Sequence, residues 1–227
     1  MRLFLVAPLM LALLPATGAE AQTAYDLLFR PGTLSSMEGE PADKAPVKPG
    51  DTIVYDNTHS PGSAVLAPKE TVKLTLVTPT EASLELERGQ QHRALGRFPA
   101  RVGNPMVMYF LEGVLKDISD ETGGSPFYLR NRLKEALAKP VDATPKTVAY
   151  ADGKVEVQSV TMTPLANASE KAKLGRFADL KVTVLTSDAV PGGYLSFIAS
   201  APAGSAKASA PYENSITLRG GTPEAVR

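Results

Sequence analysis

The stretch that decides the fold is Asn104–Leu137, "NPMVMYFLEGVLKDISDETGGSPFYLRNRLKEAL". Asn104 is a residue type that caps helices, and Pro105 suits the first helical position, where its missing N–H costs nothing. A helix is predicted over 106–120, with Gly123 ending it as a left-handed residue. Ser125 and Pro126 repeat the cap-then-proline signal. A second helix therefore runs over 126–138, and Pro140 stops it. The helical pair spans 105–139, and a short link joins its members.

The two helices carry different faces. In the second, Leu129, Leu133, Ala136 and Leu137 form one narrow apolar stripe, which a single sheet face can cover. In the first, Val107, Leu111, Val114, Leu115 and Ile118 form the ordinary stripe, while Met106, Met108, Tyr109 and Phe110 extend it around the first two turns. Burial between the sheet and the second helix explains that excess, and so does the lining of a cavity for an apolar ligand. A dimer patch is a third explanation. Tyr128, Arg130 and Arg132 gather near the start of the second helix. The two arginines could hold an anionic group, or pair with Asp117, Asp120 or Glu121 across the turn. These seven residues, Met106, Met108, Tyr109, Phe110, Tyr128, Arg130 and Arg132, are the candidates for a ligand or partner site.

On either side of the helices the chain alternates with period two. Ile53 and Tyr55 share one face, as do Val72, Leu74 and Leu76, and then Leu84 and Leu86. Alternation marks strands with one wet face, which antiparallel sheets tolerate. Beyond the helices, Asp152-Gly153 marks a hairpin, and the runs at 179–188, 193–201 and 213–221 read as further strands. The predicted class is α+β. A curved, mostly antiparallel sheet, as a half-barrel or open sandwich, carries the two-helix insert on one face. Strands are expected over 25–100 and 146–219, one domain over 22–219, and a flexible tail over 220–227. The proline-rich 38–51 segment reads as a surface loop. "LGRF" occurs at Leu95–Phe98 and again at Leu174–Phe177, which could mark a repeat or arise by chance.

The first residues place Arg2 before an apolar run to Leu14, and Ala19-Glu20-Ala21 fits a signal-peptidase site. Residues 1–21 read as a signal peptide cleaved after Ala21, and the run is too short to span a bilayer. Export to a periplasm is the expected localisation. There are 24 basic and 24 acidic residues and no cysteine. No basic excess exists to meet a nucleic acid. Disulfides, thiol catalysis and thiolate metal sites are excluded.

No catalytic, cofactor or metal constellation stands out. Asp56, His59 and Ser60 are hydrolase residue types, but they lie too close together in the chain to make both hydrogen bonds of a triad. His59 and His92 lack the i, i+4 spacing of a metalloprotease helix. Asp117, Asp120 and Glu121 read as a solvated helix end. In layout alone (exported, Cys-free, an open antiparallel sheet with helices packed on it), the chain resembles the periplasmic lipoprotein carriers and their half-barrel relatives. No sequence motif carries that likeness. The expected function is non-enzymatic: a carrier of a lipid, lipoprotein or other apolar ligand in the cell envelope. A structural or protein-interaction module of the envelope is the alternative, and a hydrolase stands behind both.

Overall fold

A computed structural model describes residues 22–35, 47–60, 70–204 and 210–221. The expected signal peptide, most of the proline-rich segment and most of the tail lie outside the described residues. In chain order the elements are α1 (Ala24–Leu28), β1 (Thr52–Ser60), β2 (Glu70–Thr78), β3 (Glu81–Arg88), β4 (Gln91–Pro99), α2 (Met106–Thr122), α3 (Pro126–Leu137), β5 (Ala143–Tyr150), β6 (Gly153–Met162), α4 (Lys171–Leu174), β7 (Lys181–Thr186), β8 (Tyr194–Ala201) and β9 (Tyr212–Leu218). Residues 24–28 are helical, not extended. Thr23 and Asp26 form a reciprocal capping box there, which supplies donors and acceptors to an otherwise unsatisfied first turn.

The nine strands make one open antiparallel sheet in the order β4-β3-β2-β1-β9-β8-β7-β6-β5. Each half is a meander, and the pairing of β1 with β9 joins the halves. The order explains the helices. β4 and β5 are consecutive strands in sequence yet the two edges of the sheet. With strands about 4.8 Å apart, the chain between them must travel across the sheet. A helical pair that buries one stripe against that face makes the crossing without leaving backbone groups unpaired.

Register fixes which residues share the helix-bearing face. Tyr55 lies opposite Val72, and Val72 opposite Leu86. Ile53, Leu74 and Leu84 form the next row. On the other side of β1, Asn57 is opposite Ile216 and His59 opposite Asn214. All the apolar members of these rows are buried. β4 was hidden in the sequence, since "QHRALGRFP" has no clean alternation. It is an edge strand whose residues all keep some exposure, and a bulge interrupts it. Leu84 pairs with Gly96 and Glu85 with Ala94, so Leu95 is the extra residue. The hairpin expected at Asp152-Gly153 forms one residue earlier. Tyr150 pairs with Gly153, leaving Ala151 and Asp152 as the turn, with Ala151 at φ 50°. The Ala151 N–H donates to the Gly220 carbonyl at 2.6 Å, which holds that alanine in a conformation a free turn would give to glycine. The two LGRF copies differ in structure: the first lies in β4, the second runs from the end of α4 into a 3-10 turn.

The start of α2 is fixed by Asn104. Its side-chain oxygen accepts from the Met106 N–H at 2.9 Å, and its amide donates to the Gly192 carbonyl at 3.0 Å. One residue thus caps the helix and ties it to the turn before β8. Phe110 then reaches Phe197 of β8, with ring centroids 5.6 Å apart. Phe197 in turn stacks on Tyr194 at 5.3 Å and meets Tyr55 at 6.3 Å. This aromatic cluster is the centre of the core. At the far end, Gly123 takes φ 68° and its N–H donates to the Ser119 carbonyl. Gly123→Ala meets no atom within 4 Å, so its cost is backbone strain alone, about 1 kcal/mol. A urea midpoint lowered by that amount with an unchanged slope is the expected reading.

Candidate functional site

The four residues that thicken the apolar start of α2 do not act together. Met106 and Phe110, one turn apart, are buried in the core at 0% and 1% exposure. Met108 faces away at 46% exposure, and Tyr109 is partly buried beside it. A groove of about 680 Å³ opens along this side of the helix. Leu84, Leu95 and Phe98 from the sheet form its apolar wall, facing Met108, Tyr109, Phe110 and Leu115 of α2. The bulge in β4 helps make it, because it places Leu95 among the lining residues.

The polar lining is concentrated on Asn57, Arg93 and Asn214 from the sheet and on Glu112, Lys116, Ser119, Asp120 and Arg130 from the helices. The Asn57 amide donates to Glu70 at 2.9 Å, and Glu70 also holds Arg88. Asn214 donates to Asp117 at 3.1 Å, and Tyr212 donates to the same carboxylate oxygen at 2.7 Å. The side-chain carbonyl oxygens of Asn57 and Asn214 are buried without a partner. Burial pushes the Tyr109 phenol up. The Glu70 carboxylate adds to that, while Arg93 and Arg88 pull it down, so the hydroxyl lies within electrostatic reach of all three.

The arginines of α3 are engaged differently from the sequence expectation. Arg130 takes Glu112 in a forked pair, with contacts of 3.0 and 2.7 Å. This bond holds the Glu112 carboxyl below its usual range. Arg132 pairs with Glu135 and lies 5.5 Å over the Tyr128 ring. Tyr128 is partly buried, and its hydroxyl has no partner. None of Asp117, Asp120 or Glu121 meets these arginines. α3 packs back along α2, so Arg130 passes the turn acids and reaches Glu112 further upstream. Asp120 pairs with Lys116 on the surface, whereas Glu121 pairs with the buried Arg176. The expected solvated helix end is thus half right: Asp117 is tied to β9, and Glu121 to the turn after α4.

The hydrolase types also separate. Strand alternation puts Asp56 and His59 on opposite faces of β1. Asp56 bonds Arg219 at 2.8 Å, and His59 lies 3.7 Å from Asp117. His92 sits on the face opposite the groove, 3.0 Å from Glu85 and 3.1 Å from Glu87. Among the described residues, Glu85, Glu87 and His92 are the one trio whose ligand atoms converge as a metal site would require. Lys73 already binds Glu87 and holds its carboxyl below the usual range. No described helix is long and apolar enough to cross a membrane. No protein-family model matches the chain, and neither does any curated protein.

Proposed function

We propose that this chain is an exported, non-enzymatic envelope protein that binds a lipid-like apolar ligand in the groove between α2 and the β1–β4 side of the sheet. Residues 22–219 act as one domain in this reading, a half-barrel whose helical pair covers part of its inner face, working in the periplasm. The observation that carries the reading is the groove itself. Its volume falls within the roughly 300–1,000 Å³ range of small-molecule sites, and both the sheet and the helix contribute apolar side chains to its lining. Met108 stands half exposed there, although an apolar side chain of its size gains about 1.5–3 kcal/mol from full burial. Covering it with a ligand's hydrocarbon recovers part of that gain. A long, flexible thioether also adapts to more than one ligand shape. A second reading, a protein-interaction module, draws on Phe127 and Val102, which are 74% and 69% exposed.

Binding of a fluorescent acyl probe to the wild type and to Met108→Asp tests the proposal. The expected outcome is saturable binding to the wild type, about tenfold weaker in the variant, which follows from losing about 1.4 kcal/mol of apolar contact. The unfolding midpoint should stay unchanged, because Met108 is not core. Equal binding by both proteins would dismiss the groove as the site.

A further inference from the structure

We infer that the ligand is an acyl-chain amphiphile with an anionic head, and that Arg93 binds that head; the inference rests on the apolar-ligand reading above. Charge in the groove lining carries the argument. Five lining residues are charged, and four of them cancel in pairs: Arg130 with Glu112, and Lys116 with Asp120. Arg93 is the fifth. It makes no hydrogen bond or ion pair among the described residues. Its neighbour Arg88 on the same face is held by Glu70. Strand register places Arg93 opposite Leu86, on the helix-bearing face, and its field reaches the Tyr109 phenol. An uncancelled, exposed cation stands at the edge of an apolar wall, placed to meet a charged head while the tail lies on the wall.

A guanidinium presents a planar fork of donors that matches a carboxylate or a phosphate. The shared chemistry is therefore an anionic oxygen head beside a hydrocarbon tail. Leu84, Leu95, Phe98 and Met108 lie where the tail would run. The helix side of the groove, from Met108 to Asp120, is about 18 Å long at 1.5 Å per residue. That length suits an extended acyl chain lying along the helix.

The test is competition against the fluorescent acyl probe at mildly alkaline pH, with each lipid below its micelle concentration. The competitors are palmitate, the phosphate-headed lysophosphatidic acid of the same chain length, and the uncharged monopalmitoylglycerol. Wild type should release the probe to an anionic lipid at about tenfold lower concentration than to the uncharged one, as a charged hydrogen bond implies. Arg93→Gln should abolish that preference and leave monopalmitoylglycerol binding unchanged. Arg97→Gln, whose native side chain pairs with Glu81 at 2.8 Å outside the groove lining, should change neither. Stronger displacement by lysophosphatidic acid than by palmitate assigns a phosphate head, and the reverse a carboxylate. A wild type with no preference for the anions, or an Arg93→Gln variant that keeps it, overturns the inference while leaving an apolar site intact. Failure of the wild type to bind the probe or any of the three lipids removes the apolar-ligand reading and this inference with it.

Discussion

Replacing Phe110 with alanine is expected to destabilise the protein by about 3–5 kcal/mol, the usual cost of deleting a buried aromatic side chain. Phe110 is 1% exposed and meets Phe197 at 5.6 Å. Phe197 also contacts Tyr55 and Tyr194, so the cavity opens in the middle of the core, where collapse of the surroundings is hardest. Met108→Ala, two residues away, should shift stability by no more than about 0.5 kcal/mol, as an exposed substitution does. Urea denaturation of the two variants reads this difference directly. Comparable losses in both would mean that Met108 is packed and that the groove beside it does not exist in solution.

The second large effect is expected at Gly192, in the turn before β8. Its φ is +74°, and an added Cβ would lie 2.8 Å from Ile53 Cδ1 and 3.0 Å from Asn104 Nδ2. Gly192→Ala therefore combines left-handed strain, about 1 kcal/mol as at Gly123, with overpacking of a further 1–3 kcal/mol. It also pushes on the amide that bonds the Gly192 carbonyl, and the same Asn104 caps α2 through the Met106 N–H. A loss of about 2–4 kcal/mol is expected, together with a reduced helical signal by circular dichroism. Gly123→Ala, with the same sign of φ but open space around it, should cost about 1 kcal/mol and no more. If the two substitutions proved equal, the Asn104–Gly192 junction would not be what seats α2.

The boundaries of α2 and α3 were legible because Asn104-Pro105, Gly123 and Ser125-Pro126 are local signals, and local chemistry sets them. The strands with one wet face were legible for the same reason. β4 was not, since its bulge and edge position break the alternation that marks a strand. The sequence also could not show that β4 and β5 are opposite edges of one sheet, a consequence of β1 pairing with β9 across more than 150 residues. That pairing explains why helices stand at the centre of a β chain at all. The excess of Met106, Met108, Tyr109 and Phe110 was visible as an excess. The burial of Met106 and Phe110 beside a half-exposed Met108 and a partly buried Tyr109 follows from the rotation of α2 on the sheet, which no local signal encodes. Arg93 was not singled out because its role depends on what fails to pair with it. Only the three-dimensional tally of Arg130 with Glu112 and Lys116 with Asp120 isolates it.

The central claim is that the groove along α2 takes a lipid-like molecule. Native mass spectrometry of the protein purified from the cell envelope without detergent tests it most directly. The account predicts a population heavier than the polypeptide by the mass of one bound lipid. That population should be depleted in Met108→Asp and restored when the wild type is incubated with an anionic single-chain lipid. A single species at the mass of the bare chain, unchanged after incubation, would contradict it.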